Sequence, residues 1–213
     1  FVYRTRLLRW PPLKWFGQRR CIQLTEVVLD RARLILFYRN RGYPDVAVDT
    51  TVTRVGRAIR VRFAIREGRA IRVDTVAVAW LDTMPGAGRI VRGLPVRVGD
   101  AFNKVAIEAA RDTMLARLGN AGYPWAQVLA NYETSRDRYT AKVGFDVLPG
   151  TRARLGTVEI DASPRQPGEG QEIPDDVARR LTGLREGAVY RDRDIAAGRR
   201  NLYQTEAYQN VTI

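Results

Sequence analysis

Ile59-x-Val61-x-Phe63-x-Ile65, closed by Glu67-Gly68, returns 82 residues later as Ala141-x-Val143-x-Phe145-x-Val147, closed by Pro149-Gly150. The register holds past the glycines. Ile71-x-Val73-x-Thr75-Val76-x-Val78 maps onto Ala153-x-Leu155-x-Thr157-Val158-x-Ile160 at the same offset. In both copies the apolar positions change from odd to even numbers at Thr75-Val76 and Thr157-Val158. Strict alternation predicts strands with one buried face, and the change of phase predicts a bend or bulge after each glycine. Arg60, Arg62 and Arg66 fall on the opposite, solvated face.

Gly42-Tyr43-Pro44 and Gly122-Tyr123-Pro124 recur 80 residues apart, each after a helical stretch. The first helix is expected over 25–41, with Leu29, Ala32, Ile35 and Leu36 on its core face and Thr25 as N-cap. The second is expected over 102–120, with Ile107, Ala110, Met114 and Leu118 on its core face and Asp100 as N-cap. Gly42 and Gly122 suit the position just past each helix end. Proline cannot donate to a ladder, so each Gly-Tyr-Pro opens a strand, over 46–55 and 126–134. Turns near Gly56 and Ser135-Arg136-Asp137 lead back into the alternating strands. A weaker third copy follows. A short helix is expected over 174–181 and another over 194–203, and Ala207 to Ile213 reads as an opening strand. Ser163 to Glu172 reads as a polar loop.

The unit is strand, helix, helix, strand, strand, about 80 residues long, beyond the ~20–50 residues of solenoid repeats. It predicts an α+β chain of tandem small domains, each with two helices packed on a three-stranded mixed sheet. The boundaries are expected at 1–68 (lacking its first strand and first helix), 69–150 (complete) and 151–213 (lacking its last strand).

Composition removes other chemistry. There is no histidine and one cysteine, Cys21, so Ser-His-Asp and Cys-His catalysis, a His/Cys zinc site and an internal disulfide are excluded. The acidic pairs Asp175-Asp176 and Asp192/Asp194 open helices, where they cap and complement the dipole. No catalytic residue, metal ligand, cofactor or small-molecule substrate is expected. No apolar run approaches the ~18 residues of a membrane span. The first residue is Phe1, and the chain reads as a segment of a longer protein. The formal charge is +13, with Lys14, Lys104 and Lys142 the only lysines. Such a charge attracts anionic partners; compositional arginine on solvated strand faces is the favoured explanation. The densest basic stretch, Arg4 to Arg20, interleaves with Trp10, Trp15 and Phe16. It prompts an alternative reading as a nucleic-acid-binding array, but the sheet arginines alternate with core positions and no stacking pair of aromatics accompanies them.

The order of motifs resembles the polypeptide-transport-associated (POTRA) domain, arrays of which form the periplasmic arm of outer-membrane β-barrel assembly proteins of the BamA and TamA type. Four features carry the resemblance: Gly-Tyr-Pro at 42–44 and 122–124; the alternating strands closed by Glu67-Gly68 and Pro149-Gly150; Val-Gly-Asp-x-Phe at 98–102; and the ending Asn201-Leu202-Tyr203…Ala207-Tyr208…Val211-x-Ile213. They span the chain from about residue 24 onward. Ala207 departs from the pattern, standing where glycine is usual, and residues 1–20 match nothing in it.

The resemblance implies a Gram-negative periplasmic location, a signal peptide upstream and a β-barrel downstream in the same polypeptide. It also implies unfolded outer-membrane proteins as clients and accessory periplasmic proteins or lipoproteins as partners. The strand after each Gly-Tyr would be a sheet edge whose bare ladder captures clients: Asp45, Val46, Ala47, Val48, Asp49, Thr50, Thr51, Val52 and Thr53 in one copy, Gln127, Val128, Leu129, Ala130, Asn131, Tyr132 and Glu133 in the other. Val46, Val48 and Val52 are expected to face the core. Gly42, Tyr43, Gly68, Gly122, Tyr123 and Gly150 are structural motif positions. Tyr43, Tyr123 and Trp125 are expected to pack behind helix ends.

Overall fold

The structure is a computed structural model, and it describes residues 24–56, 58–81, 84–161, 173–207 and 211–213. The basic segment 4–20, Cys21, the loop 163–172 and positions 208–210 of the expected last strand lie outside the described residues. The elements run α1 (Leu24–Arg39), β1 (Ala47–Val55), β2 (Ala58–Arg66), β3 (Arg72–Ala79), α2 (Ala87–Val91), α3 (Lys104–Asn120), β4 (Gln127–Ser135), β5 (Thr140–Leu148), α4 (Asp175–Thr182) and α5 (Asp192–Tyr203). The order β3-α2-α3-β4-β5 is the strand-helix-helix-strand-strand unit that the repeat predicts. Its strands form a mixed three-stranded sheet, ordered β3-β5-β4, with helices packed on it. β1 and β2 form an antiparallel pair.

Residues cluster into two compact units. Unit 1 holds 1–74, 99–105 and 134–141; unit 2 holds 75–98, 106–133 and 142–213.

The α3 stripe is as expected: Ile107, Ala110, Met114 and Leu118 are all buried. So are Ala141, Val143, Phe145 and Val147 of β5. The phase change in β3 is real, with Val73 buried and burial moving to Val76 and Val78 beyond Thr75. Each helix end before a Gly-Tyr-Pro closes as a Schellman motif. Tyr43 N–H donates to Tyr38 O and Gly42 N–H to Arg39 O; Tyr123 N–H donates to Leu118 O and Gly122 N–H to Gly119 O.

Unit 1 departs from expectation. The β1–β2 register places Val48 opposite Ile65, Thr50 opposite Phe63 and Val52 opposite Val61. Val46 and Val48 are buried, but Val52 is 40% exposed, and Ile59 and Ile65 are exposed too. Among the described residues α1 is the one complete helix of unit 1, and it covers only the Val48 end of the hairpin, where Arg31 Nε donates to Val48 O at 2.7 Å. The α1 face also differs. Val27 is buried and Leu34, Ile35 and Tyr38 half-buried, whereas Leu29, Ala32 and Leu36 are exposed. Apolar residues surround this helix, so no single stripe dictates its orientation.

Two expected caps move. Thr25 lies inside α1. Asn103, not Asp100, caps α3, its Oδ1 accepting from Val105 N–H at 3.0 Å. Asp100 lies at a bend, its carbonyl accepting from Val73 N–H, and α3 begins only after the bridge that Ala101 makes with Arg72. In the third copy Ala153 to Ile160 is not a strand. Beyond one isolated bridge, Arg154 to Val189, no ladder partner pairs with it among the described residues. Residues 211–213 are likewise not in a strand. No described helix is long and apolar enough to cross a membrane.

Candidate functional site

The expected edges are edges. Among the described residues β4 pairs with β5 on one side and with no strand on the other, and β1 pairs with β2 alone. A bare edge presents a row of N–H and C=O groups to an incoming strand.

On β4, Val128 is buried and Ala130 half-buried, while Gln127, Leu129, Asn131, Tyr132 and Glu133 are exposed. Asn131 Nδ2 donates to Asp146 Oδ2 at 2.8 Å across to β5. Gly144 permits this, because a Cβ there would lie 2.2 Å from Asn131 Oδ1. On β1, Ala47 and Thr50 are half-buried, and Asp49, Thr51 and Thr53 are exposed. Asp49 pairs with Arg66 at 3.1 Å. Trp125, expected behind a helix end, is 66% exposed beside the start of β4. Tyr43 does pack, edge-to-face on Tyr38 with centroids 5.9 Å apart. Tyr123 is half-buried.

The Gly-Tyr-Pro positions do more than open strands. In unit 1, Gly42 O accepts from Ile71 N–H, Ile71 O from Phe102 N–H, Asp100 O from Val73 N–H, and Val73 O from Gly99 N–H. In unit 2 the same set recurs: Gly122 O accepts from Ala153 N–H, Ala153 O from Tyr190 N–H, Ala188 O from Leu155 N–H, and Leu155 O from Gly187 N–H. Arg72 Nη1 donates to Gly99 O, and its counterpart Arg154 Nη1 to Gly187 O. The segment that follows each alternating strand is thus fastened, backbone to backbone, to the preceding Gly-Tyr-Pro and to the next Val-Gly-Asp or Glu-Gly-Ala turn. Gly42 is buried with φ of 87°, and a Cβ there would lie 2.7 Å from Phe102 O.

Asp45, the first residue of the predicted edge, is already engaged. Its carboxylate accepts from Tyr139 OH at 2.6 Å and from Arg136 Nη2. Arg69 stacks its guanidinium over the Tyr139 ring at 4.6 Å. The Tyr139 hydrogen bond, and then the Arg136 hydrogen bond, hold the Asp45 carboxyl below its usual range; the same bond to Asp45 raises the Tyr139 hydroxyl. Sequence reading did not single out Arg69, Arg136 or Tyr139. The one available signal was that Asp45 stands where the second copy has Trp125.

The architecture is that of a crystal structure of POTRA domains 3–5 of BamA from Haemophilus influenzae: 18% identity, 91% of this chain and 74% of that chain covered, TM-score 0.58. The chain has the POTRA fold. The N-terminal domain of Omp85 from Thermosynechococcus elongatus aligns over 95% of this chain and 84% of its own at 18% identity, with a TM-score of 0.37. POTRA1-2 of Omp85 from Anabaena aligns over 67% and 84% at 21% identity, with a TM-score of 0.43. No protein-family model and no curated protein matches the sequence.

Proposed function

We propose that this chain is part of the periplasmic arm of an outer-membrane protein assembly or secretion factor, with no catalytic role of its own. It comprises one complete POTRA-type unit at 69–150 between two partial ones, at 1–68 and 151–213. It is carried by a β-barrel of the same polypeptide in the outer membrane, and it receives unfolded barrel proteins together with accessory periplasmic proteins or lipoproteins.

The observation that carries client capture is the position of β4: an edge strand, paired on one side only among the described residues, within a POTRA fold. A client strand added there gains main-chain hydrogen bonds that read shape more than sequence, which suits a receptor for many β-strand clients. The exposed Leu129 and Tyr132 on the same strand offer apolar contacts. β1 offers a second edge, with Val52 exposed.

Hydrogen exchange on the full chain, alone and with an unfolded outer-membrane strand peptide, tests the reading. Slowed exchange confined to 127–135 or 47–55 is the expected outcome. A peptide that binds without protecting either edge refutes edge capture. Protection by single-stranded RNA that is lost on raising salt favours the nucleic-acid alternative.

A further inference from the structure

We propose that unit 2 carries a phosphate-binding site built from Arg89, Arg152 and Arg191. These come from three separate places in the chain: α2, the segment after β5, and the residue before α5. All three line one open cleft of about 460 Å³. Among the described residues no aspartate or glutamate lines that cleft.

Several arginines elsewhere are engaged by protein groups. Arg66, Arg111 and Arg180 each face a carboxylate. Arg117, which also lines the cleft, spends its guanidinium on the carbonyl oxygens of Ile90 and Arg92, at 2.7 Å each, and so fastens the end of α2. The guanidinium groups of Arg89, Arg152 and Arg191 have no hydrogen-bond or ion-pair partner among the described residues. Three like charges around one cleft repel one another, and an anion within it removes that repulsion.

A Cβ on Gly122 would lie 3.1 Å from both Cγ and Nε of Arg152, so the bare backbone at Gly122 leaves room for the Arg152 stem beside the cleft.

The charge count selects phosphate. A carboxylate has two oxygens in one plane, which a single guanidinium fork satisfies. A phosphate group is tetrahedral, carries up to two charges, and accepts N–H groups arriving from several directions, as three arginines on separate elements supply. The cleft lies within the roughly 300–1,000 Å³ of small-molecule sites. It exceeds a bare phosphate, and Pro85 and Val189 give it an apolar wall. The group belongs to an anionic lipid headgroup or to a soluble phosphate compound.

The full chain would be titrated calorimetrically with inorganic pyrophosphate at ~150 mM salt. It would also be sedimented with vesicles of phosphatidylglycerol or of phosphatidylcholine. The test variant is Arg152→Gln with Arg191→Gln. The charge-matched control is Arg60→Gln with Arg62→Gln, two exposed positions on β2 in unit 1. The cleft pair should weaken binding of at least one phosphate ligand about tenfold or more, and the control should stay within about twofold. Loss of phosphatidylglycerol binding in the cleft pair identifies the headgroup as source. Loss of pyrophosphate binding with vesicle binding unchanged identifies a soluble phosphate. Equal loss in both variants, or no binding of either ligand by the unaltered chain, overturns the proposal. If the cleft pair does not fold, hydrogen exchange of the unaltered chain decides. Slowing by pyrophosphate or by phosphatidylglycerol vesicles at 152–154 and 189–191 supports the site; no slowing there with either refutes it.

Discussion

Alanine at Gly42 and alanine at Gly99 separate backbone strain from steric conflict at the unit 1 junction. Both glycines belong to unit 1, and their φ angles are close, 87° and 91°. Placing an L-residue in the left-handed region costs roughly 1–2 kcal/mol at either site. The stiffening of the unfolded chain is the same for both and cancels in the comparison.

The surroundings differ. A Cβ at Gly99 meets nothing within 4 Å, whereas one at Gly42 would lie 2.7 Å from Phe102 O and 3.1 Å from Phe102 Cβ. Phe102 cannot readily yield: it is buried, its N–H donates to Ile71 O, and Ile71 N–H in turn donates to Gly42 O at 2.8 Å. Relieving the contact therefore adds an overpacking cost of about 1–3 kcal/mol and weakens a hydrogen bond worth about 1 kcal/mol. Gly99→Ala should lose about 1–2 kcal/mol by urea denaturation, and Gly42→Ala about 3–5 kcal/mol. Exchange of the Ile71 amide should accelerate more in Gly42→Ala than the global loss accounts for. Equal destabilisation within about 0.5 kcal/mol, or an Ile71 amide that follows global stability in both variants, refutes the steric argument.

At Gly122 the obstructing atoms are Val189 Cγ1 and the Arg152 side chain, at 3.0–3.1 Å, which can swing away. Gly122→Ala should therefore cost less than Gly42→Ala in the same denaturation series. Met114→Ala removes a fully buried side chain from α3 and should cost about 2–5 kcal/mol, while Leu36→Ala on the exposed side of α1 should stay within about 0.5 kcal/mol. Asn103→Ala should cost about 1 kcal/mol through loss of the α3 cap, and Asp100→Asn should leave the helix intact by circular dichroism. Asp45 has a lowered carboxyl pKa in the fold. Its contribution is therefore fully present above the ordinary value of 3.8 and lost as the pH falls through the folded value. The stability difference between the unaltered chain and Asp45→Asn should shrink on acidification below about pH 4, and a difference constant down to pH 2 would remove Asp45 from the network.

Two strings with the same apolar alternation, at 59–65 and 141–147, show what alternation reports and what it does not. It identifies which residues share a face, and in both hairpins the face is the expected one. Whether that face is covered depends on elements elsewhere in the chain. The β5 row is buried to the last residue, while Ile59 stands exposed at the hairpin end away from Val48, which α1 does not reach. The third copy makes the same point about pairing. Ala153 to Ile160 alternates as well as Ile71 to Val78 does, and its half-buried residues show the same change of phase, yet a strand is a property of two chains in register. The fastening at Gly42 and Gly122 was legible only in part. A glycine after a helix signals a left-handed cap. That its carbonyl also anchors a segment 29 or 31 residues further on leaves no local trace, because a backbone hydrogen bond constrains no side chain at either end. The Asp45–Tyr139–Arg136 cluster was hidden for the opposite reason. Its side chains are distinctive, but Asp45 is more than 90 residues from both Arg136 and Tyr139 in sequence, and nothing in that spacing pairs them. The network clasps the first residue of one proposed client edge, while the equivalent position before β4 holds an exposed tryptophan. If client strands enter from the Gly-Tyr-Pro end, β4 is the accessible edge and β1 is partly closed. Peptide protection should then be stronger at 127–135 than at 47–55, and Asp45→Asn should narrow that gap.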